Sequence, residues 1–191
     1  MAASAQGQIF FADKAADAFL AYLIKSYNEV SDRTLGRTIL QKLCYFAKAS
    51  GVPLPFRFEI YHYGPFSQEI FYRTEDLLLD GVIEDRSNDR GQSTFVPGPN
   101  LDIFLNRFGE AIGQHESNLQ RIATMFSRLD ASQMELVSTI HYMHCSHREW
   151  FKQAPSKEAV VTSVLQVKGN KFSQQIVERA YDILREAALL T

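Results

Sequence analysis

The sequence predicts a mainly α-helical protein with a small β-hairpin or wing. The expected layout is a winged helix-turn-helix-like N-terminal unit followed by a helical C-terminal unit. Three observations carry that expectation. Apolar residues recur at helical spacing along most of the chain. Strict alternation of apolar and polar residues is confined to Phe56–Tyr61, the period of a half-buried strand. Glycine and proline gather at a few points, above all Gly64-Pro65 and Pro97-Gly98-Pro99, where regular structure has to stop.

Each element has its own signal. Residues 1–8 are small and polar and read as a loose N-terminus. Asp13 suits the N-cap of a first helix whose Ala16, Phe19, Leu20, Leu23, Ile24 and Tyr27 share one face. A second helix starts near Asp32–Leu35 and turns Leu35, Ile39, Leu40, Leu43, Phe46 and Ala47 inward. Gly51 stops it, and Pro53 and Pro55 forbid its continuation. The alternating strand follows and ends at Gly64-Pro65. Ser67 then caps a third helix with Ile70, Phe71, Leu77 and Leu78 on its buried face. After Gly81, Val82–Arg86 pairs back on Ser93–Val96 across the turn cluster Asn88-Asp89-Arg90-Gly91.

Beyond Asn100 the pattern is long and helical, with Gly109 and Gly113 able to bend it. Ser132 and Glu135 have capping-box spacing and open a further helix to about Ser146. Helices over Ser156–Lys168 and from Ser173 to about Leu190 complete the chain. Phe66–Ile83 and Phe172–Leu189 align without a gap, with seven identities in eighteen positions. Two capped amphipathic helices share such residues readily; two helix-turn-helix units on similar plans are the other explanation. The expected units are residues 9–99 and 100–191, the second packed on the first.

Composition narrows the function classes. At 191 residues, 46% hydrophobic and 22% charged, the chain can bury a sizeable core. Its fourteen Phe and eight Tyr point to an aromatic-rich core or interface. A net charge of −2 gives no general attraction to nucleic acid or anionic membranes. The N-terminus lacks a basic segment followed by an apolar one, and no run of 18 apolar residues occurs. Cys44 and Cys145 sit in apolar helical stretches, as buried free thiols of a reducing compartment do. A cytoplasmic, non-membrane protein is expected, with oligomeric state left open, a homo-oligomer included.

Three constellations bear on chemistry. His141, His144 and Cys145 lie at i, i+3 and i+4, a spacing that lets helical side chains converge on a metal. It differs from common zinc motifs, so these are weak candidates and no metal or other cofactor is expected. There is no nucleophile elbow, phosphate-cradling glycine loop or protease-type Cys-His signature, so no enzyme is expected. For nucleic acid, the third helix carries Arg73 alone against Glu69, Glu75, Asp76 and Asp80, a balance that repels phosphate. The better basic stretch is Arg148, Lys152, Lys157, Lys168 and Lys171; it supports the alternative reading, a winged-helix DNA-binding regulator. The favoured reading is protein binding. Tyr61, Tyr63, Phe66, Phe71 and Tyr72 crowd one strand–helix junction, Gly64 and Pro65 form its pivot, and Glu69, Arg73 and Asp76 lie along the following helix.

LQKLCYFAKASGVPLPFRFEIYHYGP, residues 40–65, resembles the Panacea domain, the SocA-like antitoxin family, and especially its YwgA-like branch. The family's leucine-rich LQKLLYF helix, glycine-containing loop and aromatic-x-Tyr-Gly-Pro motif are matched in order, the last by Tyr61-His62-Tyr63-Gly64-Pro65. The match covers about 45 residues well, extends loosely to Ile83, and departs at Phe66, where the family usually has a small aliphatic residue. The resemblance implies a mostly helical fold without catalytic apparatus. It also implies a role in prokaryotic conflict systems: binding and neutralising a toxin, or presenting one to a protease.

Overall fold

The computed structural model describes residues 9–87 and 91–190. Residues 1–8, read as a loose N-terminus, and Asn88-Asp89-Arg90 of the wing turn lie outside them. The chain is mainly helical: α1 (Ala15–Val30), α2 (Arg37–Ala49), β1 (Glu59–Tyr61), β2 (Gly64–Phe66), α3 (Gln68–Leu79), β3 (Ile83–Asp85), β4 (Phe95–Pro97), α4 (Leu101–Asn106), α5 (Gly109–Phe126), α6 (Ala131–Phe151), α7 (Lys157–Lys168) and α8 (Gln174–Glu186).

The strands form two separate antiparallel hairpins, β1–β2 and β3–β4. The second is the hairpin expected after α3, with Ile83 opposite Pro97 and Asp85 opposite Phe95. The first was not foreseen: Gly64-Pro65 does not end the strand but starts its return. Tyr61 faces Gly64 and Ile60 faces Pro65, so His62-Tyr63 make a two-residue turn. Gly64 enters the return strand at φ +89°, backbone that glycine adopts without the steric cost a Cβ brings.

Several helix ends differ from the sequence reading, and each has a local cause. Asp13 is not the side-chain cap of α1; its own amide and that of Lys14 both donate to the Asp17 carboxylate, at 3.1 and 3.0 Å. An acidic residue inside the first turn can satisfy those donors by reaching back, so no cap is required ahead of it. In α6 the capping box is Asp130 with Gln133 instead of Ser132 with Glu135. The Asp130 side chain accepts from the Gln133 amide at 2.8 Å, and the Asp130 amide donates to the Gln133 side chain at 2.9 Å. Both pairs have the same spacing, and the one two residues earlier prevails because Glu135 is drawn into the interior. The long pattern beyond Asn100 breaks at Arg107-Phe108, dividing α4 from α5; Gly109 opens α5 and Gly113 lies within it. Ser156 and Ser173 cap α7 and α8, accepting from the amides of Ala159 and Ile176.

The core falls into two clusters. The larger runs from Phe10 to Met134 and has α1 at its centre, from Ala16 to Tyr27. Helices α4 and α5, which come after Pro97-Gly98-Pro99, complete this cluster with Phe104, Leu119, Ile122 and Phe126, and α5 packs along α1. The smaller is built by Leu136, Ile140 and Met143 of α6, Val160, Val161 and Val164 of α7, and Val177, Tyr181 and Leu184 of α8. Helix α6 belongs to both, and Val137 and Tyr142 touch each. Among the described residues no helix is long and apolar enough to cross a membrane.

The cap assignment has a direct test. Asp130→Ala should lower the free energy of unfolding by about 1 kcal/mol, the usual worth of an N-cap, and Ser132→Ala by only a few tenths. Urea denaturation of the two variants beside the parent chain distinguishes them; equal losses would return the cap to Ser132.

Candidate functional site

Helix α2 presents two different faces because its sequence does. Ile39, Leu40, Leu43, Cys44, Phe46 and Ala47 enter the larger core, while Arg37, Thr38, Gln41 and Lys42 line the side facing the β1–β2 hairpin and α3. Gln41 holds the start of α3 through two backbone bonds. Its Nε2 donates to the Ser67 carbonyl at 2.9 Å, and its Oε1 accepts from the Ser67 amide at 3.0 Å. Lys42 is 1% exposed, and its Nζ donates to the Pro65 carbonyl at 2.9 Å.

The other end of the hairpin is held from α6 and α7. Lys168 Nζ donates to the His62 carbonyl at 2.9 Å and pairs with the Glu135 carboxylate at 2.9 Å, both side chains being almost fully buried. Lys171 reaches the second Glu135 oxygen at 2.6 Å. Gly64 lies against α6 so closely that a Cβ there would stand 2.8 Å from Thr139 Oγ1 and 3.3 Å from Ser138 Oγ. The corner therefore needs glycine twice, for its φ and for its clearance. Burial of two ammonium groups, Lys42 and Lys168, near one carboxylate is costly, and the cost shows in their acidity. Lys42 is brought down to about 8, first by desolvation and then by the charge of Lys168. Lys168 is also lowered by burial, against the pull of Glu135.

This clamp shapes a groove. A cavity of about 220 Å³ opens between α2, α3 and the hairpin. Leu40, Ile70 and Phe95 form its floor, Phe66 and Phe71 its walls, and Tyr61 and Tyr63 its rim. Those rim rings are 59% and 60% exposed, so they are available to a visitor and not consumed in the core. Arg37 lies at the mouth, its guanidinium 5.2 Å from the Phe71 ring centre and 3.7 Å from the Glu75 carboxylate. The lining is thus apolar, with one compensated charge pair at its edge.

Of the residues expected at the junction, Tyr61, Tyr63, Phe66 and Phe71 converge on the groove. Gly64 and Pro65 are buried beneath it as its pivot. The rest lie outside the lining. The Glu69 carboxylate accepts from the Arg57 amide at 2.9 Å and from Ser67 Oγ at 2.6 Å, bonds that hold it below the usual carboxylate range. Tyr72 is 60% exposed on the neighbouring face. Arg73 turns inward, 3.2 Å from buried Asp17 and 3.0 Å from Asp76, tying α3 to α1. Sequence reasoning missed Arg37, Thr38, Gln41, Lys42 and Thr74. A signal existed for two of them: Gln41 and Lys42 interrupt an apolar helix at positions flanked by core residues.

The other candidate sets come together only in part: Cys145 Sγ lies 3.7 Å from His141 Nδ1. His141 Nδ1 lies 2.7 Å from the Tyr45 hydroxyl, whereas His144 turns to Tyr181 in the smaller core. Burial, with the nearby His144 and Arg148, brings His141 down to about 4, leaving it neutral at pH 7. Among the described residues no three His, Cys, Asp or Glu side chains gather as a metal set. The basic stretch is scattered too. Lys157 pairs with Asp182 at 2.6 Å, Lys168 is interior, Lys171 is bound to Glu135, and Arg148 and Lys152 remain exposed.

The fold and groove define a mainly helical protein with two small antiparallel hairpins and an apolar, tyrosine-rimmed recess. No protein-family model matches the chain. It is 27% identical, over 165 residues, to the uncharacterized protein YwgA of Bacillus subtilis. That similarity covers 85% of this chain and 89% of the relative.

Two outcomes follow from the clamp. Gly64→Ala should cost roughly 1–3 kcal/mol by urea denaturation, because the positive φ and the Thr139 contact are both violated. For Lys42, the native state gives up its proton at about 8, while the unfolded chain keeps it to the ordinary 10.5. Between those values the unfolded state binds more protons, so this group makes the protein more stable as pH rises. Stability measured at pH 7 and pH 9.5 should show that rise in the parent chain relative to Lys42→Met, since distant titrating groups are common to both. A parent-minus-variant difference that is flat or falling over this range would contradict the assignment.

Proposed function

We propose that this chain is a non-enzymatic protein-binding module, antitoxin-like, whose groove captures an apolar side chain from a segment of a partner protein and so neutralises or presents that partner. The observation that carries the reading is the apolar recess of about 220 Å³ rimmed by exposed Tyr61 and Tyr63. Tyrosine supplies large contact area with few rotatable bonds, and a desolvated pocket at the centre of a contact is where binding energy concentrates. The buried clamp supports the same reading, because a rim fixed before binding loses little entropy on complex formation.

The setting in a prokaryotic conflict system rests on the Tyr61-His62-Tyr63-Gly64-Pro65 resemblance to the Panacea family, and the similarity to a Bacillus protein agrees with a prokaryotic origin. Within that reading, α2, α3 and the β3–β4 hairpin stand for the helix-turn-helix and wing. They serve here as a protein-facing frame, and the first hairpin is an addition that supplies the rim. A partner toxin or protease and a cytoplasmic location follow from the same reading.

Co-expression with the product of the adjacent gene, followed by size-exclusion chromatography, tests the proposal. A complex should form with the parent chain. Thr38→Trp, which fills the recess from a half-exposed position, should weaken it at least about tenfold, or 1.4 kcal/mol, without lowering the melting temperature. The Tyr61→Ala/Tyr63→Ala double variant should weaken it similarly. Full affinity in both variants would overturn the groove as the contact site.

A further inference from the structure

A second hollow lies between the end of α2, the approach to β1 and α6, with a volume of about 750 Å³. Three separate segments each bring a cation to it: Lys48 from α2, Arg57 from the approach to β1, and Arg148 from α6. Among the described residues none of the three forms an ion pair, although most basic groups of the C-terminal helices do. Lys48 Nζ donates one bond, to the Phe56 carbonyl at 2.5 Å. Glu69, outside the lining, is near enough to feel Lys48 and Arg57, but it forms an ion pair with neither, and its Oε2 accepts from the Arg57 amide and Ser67 Oγ. Glu149 is the one carboxylate in the lining, so the hollow carries a net charge of two positive.

The walls between these cations are aromatic. The half-buried rings of Phe58 and Tyr142 line the hollow, and Tyr45 backs them with its ring 5.3 Å from Phe58 and 6.2 Å from Tyr142. Like charges gathered by independent segments repel one another unless an anion joins them. Guanidinium forks match phosphate oxygens, and aromatic walls stack planar rings. A phosphate monoester carries close to two negative charges at neutral pH, which balances the hollow.

We infer that this hollow binds a small phosphate-bearing ligand with a planar ring, the chemistry of a nucleoside monophosphate. The phosphate lies between Arg57, Arg148 and Lys48, and the ring against Phe58 and Tyr142. The site is separate from the protein-binding groove and does not rest on it.

Cys145 reports on occupancy. Its thiol lines the hollow and is partly exposed, whereas Cys44 is fully buried and serves as the silent control. Burial makes the Cys145 thiol a weaker acid than an exposed one, so alkylation by iodoacetamide is followed by mass spectrometry at mildly alkaline pH. Adenosine 5′-monophosphate should slow labelling of Cys145 about tenfold when present at ten times its dissociation constant. Adenosine at the same concentration should protect far less. Arg57→Glu and Arg148→Glu, both at exposed positions, should each abolish protection measured against that variant's own unliganded labelling rate, which Arg148→Glu itself slows by removing a positive charge from beside the thiol, while the melting temperature stays near that of the parent chain. No protection by adenosine, guanosine or uridine monophosphate would overturn the inference. So would protection that persists in both arginine variants. Equal protection by inorganic phosphate would remove the ring, and tighter protection by a short oligothymidylate would replace the small ligand with a nucleic acid.

Discussion

The β1–β2 hairpin is held in place by buried ammonium groups, and the rest of the candidate site depends on that restraint. Lys42 takes the Pro65 carbonyl from one side, Lys168 takes the His62 carbonyl from the other, and Glu135 offsets part of the positive charge from below. A two-residue turn with three-residue strands has too little of its own hydrogen bonding to stay ordered in water. Side-chain donors that reach its carbonyls across the interior supply what the ladder lacks. Buried charge is a weak source of stability but a strong source of position, because a displaced hairpin would leave ammonium groups without partners.

That restraint also joins the two halves of the molecule. Helix α6 sends Glu135 and Thr139 toward the hairpin, and on its other side it builds the smaller core with α7 and α8. Lys168 and Lys171 come from the end of α7 and the turn after it, so the C-terminal helices help to fix a rim that belongs to the N-terminal sequence. Lys171 Nζ lies 5.1 Å from the centre of the Tyr63 ring, a cation–π contact that orients one side of the groove. The C-terminal region, unremarkable as sequence beyond its helical period, is part of the structural support of the candidate site.

The two recesses differ in what they can hold. The groove beside α3 is apolar and its one guanidinium is already matched by Glu75. The hollow beside α6 has aromatic walls and three cations that form no ion pair among the described residues. An apolar side chain suits the first and a planar anion the second, so one small fold offers two separate kinds of contact. His141 and Cys145, set at a spacing that suggests metal, instead border the second hollow, with His141 neutral and hydrogen-bonded to Tyr45.

The sequence by itself determined the helical class, seven helical stretches with the α4–α5 break unmarked, the hairpin after α3, and the crowding of Tyr61, Tyr63, Phe66 and Phe71 at one corner. These are legible because helical and strand periods, and the residues that stop them, act over a few neighbouring positions. Only the tertiary structure decided that Gly64-Pro65 begins a return strand, that Asp130 outcompetes Ser132 as a cap, and that Arg73 faces inward to Asp17. It alone also placed Gln41, Lys42, Glu135 and Lys168 beneath the hairpin, drawn from positions up to 127 residues apart. A polar residue in an apolar helix shows that some partner must exist, but the partner's identity is a matter of packing between distant segments. Local pattern carries no record of that distance.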